Sequence, residues 1–251
     1  MNDKLKLMAP SIPPLPPVLT RWLMVGEGAG ERPGKRERTR LQLVQAAIQV
    51  FSARGVAGAT IQEIAEVASM TTGTVYNHFA TKEAVLQEVA LVLARTLCER
   101  IAQSYPQVKE GAERMAIGQR RYIWLAEQSP QWALMLLDVS AATPLLLQGV
   151  LKYALADLRL GVKQKSFKVT SEEAAMDMIN GAGAQAMLRV AMGQAPPDHG
   201  VAVATLVLRG LGVPPDEAAA VARRPLPPFP EEAPSAEAVP ASGRKAARAR
   251  G

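Results

Sequence analysis

Cysteine is almost absent from this 251-residue chain: Cys98 stands alone, so no intramolecular disulfide and no CxxC redox or zinc site is possible. Histidine is nearly as scarce. His78 and His199 are far apart, with no Asp, Glu or Cys at ligand spacing, which leaves little material for a metal site or a nucleophile triad. Aromatic residues make up only 4% of the chain, and β-branched runs are short, which disfavours sheets. No apolar run reaches the roughly 18 to 20 residues that a membrane span needs. These gaps argue against an enzyme, a cofactor and a membrane protein, and they suit a reducing cytoplasm.

What is abundant is Ala, Leu, Val and Met within an apolar fraction of 48%. An all-α protein is expected. Residues 1–34, broken by "PSIPPLPP", and 225–251, ending in "GRKAARARG", are rich in Pro, Gly and Ala. They read as a disordered N-terminal arm and a disordered basic tail. The net charge of +6 suits a nucleic-acid partner, although Arg244, Lys245, Arg248 and Arg250 of that tail supply part of it.

From Arg36, Leu41, Val44, Ile48 and Phe51 recur at helical spacing until Arg54 and Gly55 end the segment. Thr60 caps a second helix, with Glu63 at the capping-box position. Thr71 caps a short third helix that turns Val75 and Phe79 inward, and Thr81 caps a longer one reaching about Ser104. Further helices are expected from Val108 to Gln128, from Ser129 and Pro130, and from Thr143 and Pro144 to Lys163. Another opens with a capping box from Thr170 to Glu173, and two more precede Gly212 and Arg224.

The second and third helices form a helix-turn-helix unit. Its third helix begins with Thr72, Gly73 and Thr74, poor helix formers whose small size brings the backbone close to a duplex. Threonine hydroxyls bond phosphate or base edges, their methyls touch thymine, and Asn77 is the candidate for adenine. Ahead of the first helix, Lys35, Arg36, Arg38 and Arg40 face one Glu37, a basic run fit for flanking phosphates or equally for a solvated face.

Thr60 to Leu86, "TIQEIAEVASMTTGTVYNHFATKEAVL", resembles the DNA-binding domain of the TetR family of transcriptional regulators. Thr60, Ile64, Ala65, Ala68, Gly73, Thr74, Val75, Tyr76, His78, Phe79, Lys82 and Glu83 carry the likeness, while Ser69 departs from the glycine usual in the turn. The resemblance implies phosphate contacts from Tyr76 and His78, with Lys82 adding a cation to the same strand. Thr60 and Thr71 are DNA-facing as well as capping, and half-buried rings are the competing reading of Tyr76 and His78.

It also implies a DNA-binding domain at 35–90 and a domain at 91–224 that dimerises and binds a small effector. Gly181 to Ala186, "GAGAQA", offers a smooth face for such a dimer. Tyr122, Trp124, Trp132, Met135 and Leu136 are the candidate liners of an apolar effector pocket, or else plain core. The expected function is a cytoplasmic homodimeric regulator, a repressor that leaves a palindromic operator when an apolar effector binds. The alternative is a helical small-molecule-binding or interaction protein without operator binding.

Overall fold

A computed structural model describes residues 34–143 and 148–230. Most of the expected N-terminal arm, the start at Pro144 and the basic tail from residue 231 onward lie outside them. The described residues form ten helices and no strand: α1 Lys35–Gly58, α2 Ile61–Val67, α3 Thr72–Tyr76, α4 Lys82–Ser104, α5 Gly111–Gln128, α6 Pro130–Ala142, α7 Gln148–Lys163, α8 Glu172–Ala191, α9 His199–Gly210 and α10 Pro215–Ala222. The all-α class holds. No helix among the described residues is long and apolar enough to cross a membrane.

The local signals place the first helices. Within α1, Gly55 takes φ 71° and ψ 163°, a conformation reserved for glycine, so regular helix stops where the Arg54-Gly55 pair was expected to stop it. Thr60 and Glu63 form a full capping box, and Thr71 and Thr81 accept the amides of Thr74 and Ala84. Further along two starts move. The helix expected from Val108 begins at Gly111, and Ser171, not Thr170, caps α8 by accepting the Ala174 amide.

Ser69 ends α2 in a Schellman motif. Met70 N–H bonds the Ala65 carbonyl at 2.9 Å and Ser69 N–H bonds that of Glu66 at 3.0 Å, with Ser69 left-handed at φ 55°. A Cβ in that region costs about 1–2 kcal/mol, part of which glycine gives back as chain entropy. Ser69→Gly should therefore stabilise the protein by ~1 kcal/mol, raising its melting temperature by about 2–4 °C in a calorimetric scan.

Two apolar clusters organise the chain. One joins α1, α2, α3 and α4 and continues through Leu93, Leu97 and Ile101 to Trp132 and Leu136 of α6. The other gathers α5 and α7 to α10 around Ile123, Leu158, Ile179 and Leu208. Helix α5 is central, packing on α4 and on α6 to α10. Its start meets α7 without side chains between them: a Cβ on Gly111 would fall 2.5 Å from the Gly161 nitrogen. Within residues 225–230, expected to begin the tail, Leu226 packs on the core and Phe229 is fully buried. Phe229 lies 5.5 Å from the Trp124 ring, and the Arg121 guanidinium sits 4.0 Å from its own ring centre.

Candidate nucleic-acid interface and internal cavity

The anchoring of α3 is tight and its outer face is bare. Val75 is fully buried and Phe79 nearly so. Arg40 clasps this end: its Nη2 and Nε donate to Glu88 of α4 at 2.7 and 3.3 Å, and its Nη1 donates to the His78 carbonyl at 3.2 Å. Its guanidinium also lies 4.4 Å from the Phe79 ring centre. Arg40, grouped by sequence with the free basic run, is thus a structural tie that fixes α1, α3 and α4 to one another.

Lys82 also takes a different place from the one expected. Its ammonium donates to the carbonyls of Val56 and Ala59 at 3.1 Å each and of Ala57 at 3.5 Å, occupying its three protons on the free end of α1. Lys82→Met is expected to lower stability by about 1–3 kcal/mol. Loss of a phosphate ligand would flatten the dependence of log K on log salt by about one unit; with Lys82 held by carbonyls, band shifts at graded salt should keep their slope in this variant.

Thr60 and Thr71 are occupied as caps, and the Thr71 and Thr74 hydroxyls lie 3.0 Å apart. By contrast, the side chains of Thr72, Tyr76 and Asn77 are exposed and make no hydrogen bond among the described residues, Tyr76 with 56% of its surface open. Lys35, Arg36 and Arg38 are exposed on the first turn of α1. Arg36 and Arg40 both act on His78, whose imidazole is held below its ordinary value first by partial burial and then by these two cations. The basic start of α1 thus adjoins the end of α3.

Among the described residues nothing requires glycine at position 73. A Cβ there would meet only the Thr71 hydroxyl, at an ordinary 3.7 Å. Its smallness leaves the start of α3 open to the outside.

A second feature lies among α4 to α8, a cavity of about 460 Å³. Of the candidate liners, Tyr122 and Leu136 line it and Trp124, Trp132 and Met135 do not. Trp132 is fully buried in the core beside Met135, and Trp124 is covered by Phe229. Size and apolarity drew these three into packing. Gly181, Gly183, Ala184 and Gln185, expected on a dimer face, line the cavity. Gly183 is buried there, and a Cβ on it would come 3.1 Å from Gln119 Oε1 and 3.4 Å from the Tyr122 ring.

The sequence reading missed the polar wall. Tyr105 donates to Asp157 Oδ2 at 2.8 Å in a buried pair, brought together by the Gly111–Gly161 crossing. The lone acid in "YALADLRL" was the available signal. Burial pushes the Asp157 carboxyl up to about 6, against opposing pulls from Tyr105 and Arg114. Since the folded value exceeds the ordinary one, folding favours the protonated acid. Its burial is free of this cost below pH ~4, and the cost grows as pH rises through about 6 to roughly 3 kcal/mol near neutrality. Asp157→Asn should remove that fall in urea stability between pH 4 and 7.5; equal slopes in both proteins would refute it.

A helix-turn-helix with a bare reading face, followed by a helical body with an internal cavity, is now in view. Residues 43–89 match the family model "Bacterial regulatory proteins, tetR family", and residues 110–224 match "Tetracyclin repressor-like, C-terminal domain", together more than half of the chain. The chain belongs to the TetR family. It is therefore a DNA-binding transcriptional regulator of a non-enzymatic family.

Among solved TetR-like structures, RolR in complex with resorcinol is 30% identical with a TM-score of 0.68, covering 78% of this chain and 98% of RolR. The repressor DhaR of Mycobacterium sp. (strain GP1) is 39% identical over 79 residues, 30% of this chain and 40% of DhaR. The regulator LuxR of Vibrio harveyi is 30% identical over 116 residues, 43% of this chain and 57% of LuxR. The chain thus spans little more than half of these two curated relatives at most.

Proposed function

We propose that this chain is a cytoplasmic homodimeric repressor that holds a palindromic operator and leaves it when a small, largely apolar effector enters the cavity. The division of labour is a DNA-binding domain at about 35–90 and an effector-binding and dimerisation domain at about 91–224. One observation carries the reading: α3 is fixed from behind by Val75, Phe79 and Arg40, while Thr72, Tyr76 and Asn77 stand exposed and without partners. Thr72 and Asn77 then face bases, Tyr76, His78, Lys35, Arg36 and Arg38 grip phosphates, and Gly73 gives clearance.

Pairing is supported by Leu188, Met192 and Leu206 on and beside α8 and α9, exposed at 37%, 55% and 61% although large and apolar. A two-fold dimer sets two copies of α3 in successive major grooves, hence the palindrome. Repression accords with DhaR, and effector release with the resorcinol bound by RolR.

Selection of random duplexes by the purified protein should enrich one inverted repeat bound at two chains per site. Recovery of no repeat would leave the alternative, a helical ligand binder without an operator.

A further inference from the structure

The cavity is large, and its chemistry is selective. None of its described lining residues is Lys, Arg or His, so an anionic ligand finds no counter-charge on that wall. A cationic one would be drawn beside Arg114, whose guanidinium already lies 5.6 Å from the Tyr105 ring centre.

The polar groups on the wall call for donors. Asp157 accepts from Tyr105 and has acceptor capacity left. Gln119, only 7% exposed, donates through Nε2 to the Ile179 carbonyl at 2.9 Å, yet its buried Oε1 has no partner. An acceptor buried without a donor is costly, and a ligand hydroxyl would relieve it.

Most of the remaining wall is apolar, with the rings of Tyr105, Tyr122 and Tyr153, and Ser140, Asn180 and Gln185 add polar side chains to it. Gly118 and Gly181 cut it back further, since a Cβ on either would meet nothing within 4 Å. Filled at the density of a protein interior, about 0.75, the 460 Å³ would take on the order of 20 non-hydrogen atoms. A single dihydroxybenzene ring occupies well under half of that, by the same rough measure.

We propose that the effector is an uncharged aromatic compound of two or three rings whose hydroxyl groups donate to the Asp157 carboxylate and to Gln119 Oε1. This rests on the effector-released regulator described above. The tyrosine rings stack the flat body while the two acceptors fix its orientation.

Calorimetric titration of the full chain with resorcinol, a trihydroxystilbene and that stilbene's permethylated ether tests the assignment, with band shifts on the selected operator run alongside. The trihydroxystilbene should bind at least ~10-fold more tightly than either other probe. Asp157→Asn and Gln119→Met should each cut its affinity about ten-fold while leaving the ether unchanged. Equal affinity for the ether would overturn the hydroxyl anchors, and equal affinity for resorcinol would overturn the size.

Nile red, uncharged and without a hydroxyl donor, keeps the two readings apart. If it enters and releases the operator while the stilbene does neither, the ligand class falls and effector control stands. If the stilbene fills the cavity and the operator stays bound, effector control falls and the ligand class stands.

Discussion

Gly73→Leu should weaken operator binding at least ~100-fold, a loss of about 2.8 kcal/mol, while the protein stays folded. The two halves of that outcome have separate causes. Inside the molecule a side chain at 73 is tolerated, because the position is exposed and its Cβ would meet only Thr71 Oγ1 at 3.7 Å. Replacing glycine in a helix also recovers up to ~1 kcal/mol of backbone entropy. Outside the molecule the same atoms occupy the space between the start of α3 and the base edges, where a few ångströms of extra bulk lift the whole reading face. Circular dichroism and band shifts separate the two halves. A variant that binds normally would mean that α3 docks on another face.

Gly118→Leu should disable effector control with little effect on operator affinity. Gly118 lies in α5 on the cavity wall, and a Cβ there meets open space, so the leucine extends into the 460 Å³ that a ligand needs. The substitution fits α5, since leucine is a better helix former than glycine by roughly 0.8 kcal/mol. Cavity binding of trihydroxystilbene should fall more than ~10-fold, and the operator should remain occupied at concentrations that clear the parent protein. A variant that still releases normally would move the effector site elsewhere.

The sequence revealed most where a residue's role is set by its neighbours along the chain. Thr60, Thr71 and Thr81 cap helices through amides three residues ahead, and Gly55 breaks α1 through its own φ. Even there, adjacent hydroxyls at Thr170 and Ser171 left the α8 start open to a shift of one residue. Roles assigned by tertiary approach were illegible: Lys82 meets carbonyls 23 to 26 positions away, and Tyr105 meets Asp157 52 positions away. Aromatic size was misleading for the cavity, because Trp132 and Trp124 serve packing while smaller, more polar side chains form the wall. The glycines of "GAGAQA" were read as a contact surface, and smallness serves an opening equally well.

Helix α4 belongs to both halves of the molecule. Its first residue, Lys82, holds the end of α1, whereas Ala94, Cys98 and Ile101 on its later turns line the cavity. Twenty-three helical residues make a rod about 34 Å long. A tilt of roughly 5° about one end carries the other through about 3 Å, more than half a helical turn. In the proposed dimer, paired reading heads on a rigid duplex would tolerate little change of spacing, so a ligand would have only to lean this rod slightly to spoil the match.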